Sequence, residues 1–389
     1  MINPFKSNFF PRPRDENADF LLTAVIEHNQ AAMVSAMCVW NSKLVYATCR
    51  NGQLPRLFAW DGSNAVQEMA TPPWANPPAA GVTFRINVMA NYNGQLWIAT
   101  SPNVAATPVI EIWYYNGTLW TDAKTDPSWA AAPLGGCGVT TMGIGGAGWM
   151  FVFNGIIFIG QDVTGPATGI HVQGWNGTTW LGTVEQVGLG APGPAAGQSG
   201  TPTSRMHAPI LSNVVYVGAY DARAGGGGGT GAAEVYTRTT GGTWTLLYTF
   251  PNSGTLQPTD PVETLVKINS QIYTAHGGRL GATSGDPLQL ACVTSVPTRV
   301  RDTNLGFRSG LAVPIGNGNE VALLASPQRL CVFDPAVGNL ETVADYSDDA
   351  PLDLVAFNNR IYVSQGSEVA LLAVPAANAE ISIRIARLD

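Results

Sequence analysis

Six side chains could do chemistry together: Arg50, Asp162, Asp221, Arg223, His276 and Arg279. Two carboxylates facing each other across a cleft are what glycoside hydrolysis needs, and Asp162 with Asp221 is the pair to consider. Gathered at one mouth without such a cleft, the six would make a ligand-binding group. Left apart, they are solvated loop residues. Trp74 and Trp129 form a second set. Each stands beside proline in a long connection, where an indole either closes a core or anchors an interface.

Other constellations are incomplete. His28, His171, His207 and His276 lie far apart, and neither His-x-x-x-His nor Cys-x-x-Cys occurs, so no zinc set is spelled out. There is no Gly-x-Ser-x-Gly elbow. Gly225–Gly229 lacks the Gly-Lys-Ser/Thr that completes a phosphate loop and reads as a flexible connection. Asp345, Asp348, Asp349 and Asp353 miss the spacing of a calcium loop and read as a solvated acidic stretch. Cys38, Cys49, Cys137, Cys292 and Cys331 are odd in number and widely spaced, which suits small buried hydrophobes better than disulfides or nucleophiles. No cofactor and no metal is expected.

What must position these residues is a repeat. Ile110 to Trp120 reads IEIWYYNGTLW: an alternating β-branched and aromatic run enters Asn116-Gly117, and Trp120 opens the return. Asn-Gly at such a place predicts a tight hairpin with positive φ. Val172 to Trp180 repeats the phrase, and weaker copies stand at Leu57–Gly62, Val235–Trp244 and Leu330–Leu340. A second phrase, a polar turn followed by an aliphatic, an aromatic and a β-branched or small residue, starts at Asn41, Asn93, Asn154, Ser212, Asn269 and Asn358, with a degenerate copy at Asn317. Seven copies roughly 40 to 60 residues apart match propeller blades of four strands plus loops.

The second unit parses into strands Ile86–Asn91, Gln95–Ala99, Val109–Tyr115 and Leu119–Asp122. Its first pair is apolar on both sides, as inner strands packed between neighbours should be. The expected fold is all-β: a β-propeller of four-stranded antiparallel blades, seven in number, with six as the alternative. Residues 1–18, rich in proline and charge, read as an extended arm, and residues 19–389 as one propeller domain. Phe20–Glu27 reads as a strand that either completes the last blade beside Glu380–Arg387 or belongs to the arm.

In such a meander the first-to-second and third-to-fourth turns share one face, and these are short. The second-to-third loops (Arg50–Pro55, Thr100–Pro108, Gln161–Gly169, Tyr220–Ala232, His276–Pro287) and the crossovers (Thr71–Thr83, Thr121–Thr140, Val187–Pro209) share the other, and these are long. Loops longer than their connection requires point to function, so the elaborated face is the expected working face.

The aromatic, Asn/Asp-Gly and Trp hairpins resemble those of kelch-type and Asp-box propellers. Thr237-Arg-Thr-Thr-Gly-Gly-Thr-Trp244 is similar to the Asp-box of sialidase-like propellers, with Thr239 where the aspartate would stand. The arginine cluster and Tyr/Glu pair of such enzymes have no counterpart located here. The Asn-, Gly- and Thr-rich hairpins also resemble propellers of tailed-phage virion proteins.

Composition narrows the function further. A net charge of −7 lacks the basic patch that nucleic acid or an anionic membrane would require. No apolar run reaches the ~18 residues of a membrane span, so no membrane insertion is expected, and the N-terminus does not read as a signal peptide. The resemblance implies a non-enzymatic structural protein of a tailed-phage virion, tail or tail-associated, made in the host cytoplasm. Its partners would be other virion or assembly proteins, or a second copy in a homo-oligomer, met by the elaborated face or the arm. The alternatives are a carbohydrate-binding propeller that takes a surface glycan on its tryptophans and, third, the glycoside hydrolase.

Overall fold

The structure is a computed structural model that describes residues 21–27, 33–74, 78, 84–100, 111–130, 142–163, 169–182, 185–187, 200–202, 208–221, 232–250, 262–276, 288–294, 298–303, 307–316, 319–326, 329–345, 353–365 and 368–373. The expected arm falls outside them.

Strand β1 is Leu21–Glu27. Blade one then has β2 (Met33–Trp40), β3 (Lys43–Cys49), β4 (Arg56–Trp60) and β5 (Gln67–Glu68). Blade two has β6 (Ile86–Tyr92), β7 (Gln95–Thr100), β8 (Ile112–Tyr115) and β9 (Trp120–Asp122). Blade three has β10 (Met142–Phe153), β11 (Ile156–Val163), β12 (Gly169–Trp175) and β13 (Glu185–Val187). In blade four the innermost strand is in two pieces, β14 (Gly200–Pro202) and β15 (Ile210–Leu211), followed by β16 (Val214–Asp221), β17 (Ala232–Thr239) and β18 (Trp244–Thr249). Blade five has β19 (Val262–Ile268), β20 (Gln271–His276), β21 (Leu288–Cys292) and β22 (Thr298–Thr303). Blade six has β23 (Ser309–Gly316), β24 (Asn319–Ala325), β25 (Arg329–Asp334) and β26 (Asn339–Asp345). Blade seven has β27 (Leu354–Phe357), β28 (Arg360–Gln365) and β29 (Glu368–Ala373), and β1 is its outermost strand.

Every pairing is antiparallel, and successive sheets touch in a closed circuit from β2 and β6 round to β27 and β2, mostly through their innermost strands, with β16 meeting β19 between blades four and five. This is a seven-bladed β-propeller, and the six-bladed alternative is set aside. Ring closure differs from one expectation. β1 pairs with Glu368–Ala373, Leu21 opposite Ala373, and not with Glu380–Arg387, which lie outside the described residues. β29 takes the third position of blade seven, so only the outer position is open to β1.

Strand alternation explains the packing. In β7, Leu96 and Ile98 face blade one, where they join Trp40, Val45, Leu57, Met89 and Trp113. Trp97 and Ala99 face blade three and join Ile112, Ile157, Ile159, Trp175 and Trp180. Successive side chains point to opposite sides of a sheet, so inner strands buried on both sides must be apolar throughout. Further cores join blades three and four, four and five, five and six, and seven and one. The closing seam adds a polar clamp: the buried Asp353 carboxylate accepts the backbone N–H of Met37 in blade one at 3.1 Å and that of Leu354 at 2.8 Å. Asp353 is therefore a seam residue, in contrast to the solvated acidic stretch expected of it.

The two kinds of hairpin differ. First-to-second turns of blades one, two and seven hold positive φ at both central residues: Asn41 and Ser42 at 49° and 56°, Asn93 and Gly94 at 49° and 76°, Asn358 and Asn359 at 48° and 58°. That is the two-residue turn whose twist matches its strands. Third-to-fourth turns put only the glycine there, Gly117 at 101° and Gly177 at 103°. Asn116 and Asn176 instead use Oδ1 to accept two backbone N–H groups each, from Thr118 and Leu119 and from Thr178 and Thr179. The Asn-Gly expectation of paired positive φ fails here because the side chain, two and three residues on, substitutes for a backbone turn.

Candidate functional site

The loop expectations were only partly met. Arg50 is exposed, in the second-to-third loop of blade one, its carbonyl accepting the N–H of Gln53 at 3.1 Å. Asp162 and Asp221 are strand residues, opposite Ile170 and Ala232. His276 ends β20 opposite Val262. Meander topology sets all four at the same end of their second strands, on blades one, three, four and five. For Asp162, Asp221 and His276 the description covers only the backbone, and Arg223 and Arg279 lie outside it, as does Gly225–Gly229. The Val187–Pro209 crossover also needs correcting, because its residues Gly200–Pro202 form β14 and pair with Ala219–Asp221.

The tryptophans are part of the architecture. Trp129 is 5% exposed and packs edge-on against Trp180 of blade three, ring centroids 4.6 Å apart. Its crossover leaves the sheet early because β9 is three residues long. A 3-10 turn at Ala123–Thr125 and a short helix, α1 (Pro127–Ala130), then fill the space that opens outward between blades two and three. The Ala123 carbonyl accepts the indole N–H of Trp180 at 2.8 Å, and the Ser128 hydroxyl accepts its backbone N–H. Trp120 repeats the device one blade earlier, donating to the Ala70 carbonyl at 2.7 Å. Trp74 is half-buried and stands edge-on to Phe84 at 5.4 Å. Eight of the eleven tryptophans are buried, and Trp60, Trp74 and Trp244 are half-buried.

Several perturbed titratable groups belong to the core as well. Burial pushes the phenol of Tyr273 up to about 12 and raises the thiol of Cys38 and the phenol of Tyr46. Desolvation leads each of these shifts, which is what a packed core imposes; a charged site would act chiefly through its partners. Cys38, Cys49, Cys292 and Cys331 are unbridged and buried or half-buried, as small hydrophobes would be. Among the described residues no group of three or more His, Cys, Asp and Glu could hold a metal ion, and no helix is long and apolar enough to cross a membrane.

What sequence reasoning missed is on the plain face. The large exposed apolar residues among those described are Val39, Leu54, Leu119, Val152, Ile210, Leu246 and Val337. Val39, Val152 and Ile210 each stand two residues before the first turn of their blade, and Leu119 and Val337 sit in third-to-fourth turns. All five are therefore at the plain-face end, and Leu54 alone is in an elaborated-face loop. The signal was available: Leu119 occupies the position that Thr179 holds in the sibling hairpin.

The sequence matches no family profile and no curated protein. Solved structures match in shape. Virginiamycin B lyase from Staphylococcus aureus aligns with a TM-score of 0.56 at 11% identity over 91% of this chain and 99% of that one. Extracellular domains 1–2 of Drosophila semaphorin 1a give 0.53 at 9%, over 91% and 88%. The extracellular domain of what is described as a hybrid two component system of B. thetaiotaomicron gives 0.57 at 14%, over 91% of this chain, which spans only 40% of that domain's length. Likeness at these identities shows the fold alone.

Proposed function

We propose that this chain is a non-enzymatic interaction propeller that docks on neighbouring protein subunits through its plain face, as a virion component of a tailed phage made in the host cytoplasm. The observation that carries the docking is that exposed aliphatic side chains recur at that end on five of the seven blades, led by Leu119 at 64% and Val337 at 46% exposure. They stand on turns with fixed backbone geometry, which lowers the ordering cost of an interface. Charge at this end is sparse and mixed, Lys43, Lys267 and Arg360 against Asp61 and Glu320, so an apolar contact is not opposed by a field of one sign. The virion placement rests on the resemblance of the Asn-, Gly- and Thr-rich hairpins to those of tailed-phage propellers.

The test is co-sedimentation of the full chain with particles assembled from the structural proteins encoded beside its gene. The parent should sediment with them, and the double variant Leu119→Asp/Val337→Asp should stay in the supernatant with its thermal midpoint unchanged. A double variant that co-sediments like the parent would remove the plain face from docking. If Leu54→Asp alone prevents association, the elaborated face is the docking surface.

A further inference from the structure

Leu246 is the one large exposed apolar residue that neither face of the ring accounts for. It is 48% exposed in the middle of β18, the outermost strand of blade four, which pairs with β17 and with no other described strand. The strand reads WTLLYT, with Thr245, Leu246 and Thr249 exposed and Trp244, Leu247 and Tyr248 half-buried. Such an edge presents a row of backbone N–H and C=O groups to any strand that can lie beside it.

Charge is a common guard on edges of this kind, and six of the seven outermost strands here carry it. β1, β5, β9, β13, β22 and β26 each contain a charged residue, from Glu27 in β1 to Arg299 and Asp302 in β22, and β18 contains none. A second guard, the β-bulge, does not set β18 apart. Leu246 stands opposite Tyr236 and Tyr248 opposite Val235, which makes Leu247 an extra residue, but β1, β22 and β26 are bulged as well.

Freedom from charge matters most for pairing with an identical strand. In an antiparallel pair about a two-fold axis the central residue meets itself, and every charge on the strand is brought close to its own copy. Centred on Leu246, the pair sets leucine against leucine. It also brings the two kinks together at the middle, so the half-strands on either side run on beside each other.

We propose that β18 pairs antiparallel with β18 of a second copy of this chain, about a two-fold axis at Leu246, and joins the two fourth blades into one sheet. Each copy has one such edge, so the pairing closes at two. Strands of a blade run roughly along the ring axis, so the antiparallel arrangement turns the two plain faces in opposite directions and leaves both open. The net charge of −7 on each copy opposes association weakly, because β18 brings no charge to the contact and salt screens charges beyond about 8 Å.

The experiment is sedimentation velocity of the full chain over a concentration series. A six-residue edge is a small interface, so the parent should be monomeric when dilute and should move toward a dimer as the chain approaches roughly 1 mM. Leu246→Lys and Leu246→Glu should each weaken association roughly ten-fold or more, with the thermal midpoint unchanged because the side chain is exposed. An equimolar mixture of the two variants should recover it, since the lysine of one copy then faces the glutamate of the other. Leu119→Asp/Val337→Asp should self-associate like the parent, which separates this contact from docking through the plain face. A parent that stays monomeric throughout, or single variants that dimerise like it, overturns the proposal. A mixture no better than either variant overturns the two-fold pairing at Leu246. Loss of self-association in Leu119→Asp/Val337→Asp would place the contact on the plain face and overturn this one.

Discussion

Leu119 and Trp120 are consecutive residues of one hairpin and meet opposite surroundings. Leu119 is the most exposed large apolar residue of those described, and Trp120, at 7% exposure, is packed between blades one and two. The contrast holds for the two regions they stand for, the plain-face rim and the wedges between blades. Radial sheets diverge outward, so the wedges take large rings: Trp97 with Tyr114 at 4.9 Å, Trp149 with Trp244 at 5.8 Å, and Trp129 with Trp180 at 4.6 Å. The rim takes short polar turns with scattered aliphatics. An aromatic-rich motif in a repeat of this kind marks filling between blades.

Trp180→Ala should give the largest effect. It removes a ring that touches Trp97, Trp129 and Trp175, together with the donor to Ala123. A loss of about 4 kcal/mol in chemical denaturation is expected from a fully packed indole. Association through the rim should survive in whatever fraction remains folded. A loss below 1 kcal/mol would mean that the wedges are not what holds the ring, and the contrast with the rim would fail.

The wedge between blades three and four should come next, through charge as well as volume. Arg238 forms a two-pronged ion pair with Glu185, which also accepts the Trp244 indole N–H at 2.7 Å, and the guanidinium lies 4.3 Å from the ring centre of Phe158. With Arg238 itself buried, Glu185→Ala should cost about 3 kcal/mol, mostly by leaving a buried cation alone. Adding Arg238→Met should restore part of that loss. If the double variant is less stable than the single one, the pair stabilises outright and does more than fill the wedge.

The number of blades and their turns could be read from sequence because both depend on local chemistry. Asn41, Asn93, Asn154, Ser212, Asn269 and Asn358 all occupy the positive-φ turn their phrase predicts, since asparagine with its short polar side chain reaches that region at low cost. What was not legible depended on distance. Nothing local tells that Gly200–Pro202 pairs with Ala219–Asp221, or that Asp353 reaches Met37, residues far apart in the chain. Asp162 and Asp221 were read as loop residues because their strands run on past the alternating pattern into Gly-rich chain, where only the pairing partner decides the boundary. Of the two readings open to Trp74 and Trp129, closing a core or anchoring an interface, the burial of Trp129 against Trp180 and the edge-on contact of Trp74 with Phe84 favour the first.

The smallest effect should come from the rim itself, at Asp61. Its carboxylate accepts the backbone N–H of Asn64 at 2.8 Å and of Ser63 at 2.9 Å, and the side-chain amide of Asn64 at 2.6 Å. These bonds favour the charged form, the Asn64 backbone contact most of all, and hold the carboxyl well below the usual carboxylate range. A folded-state pKa below the unfolded one contributes stability that is complete above about pH 4 to 5 and is lost as pH falls through the folded value. Asp61→Asn places here the amide that the sibling turns carry at Asn116 and Asn176, which keeps an acceptor oxygen and cannot titrate. The difference in thermal midpoint between parent and variant should be constant from about pH 7 to 5 and should then shift in the variant's favour as pH falls toward 2. A difference that stays flat over the whole range would show that the carboxylate is not held in its charged form, and that the rim turn rests on backbone geometry alone.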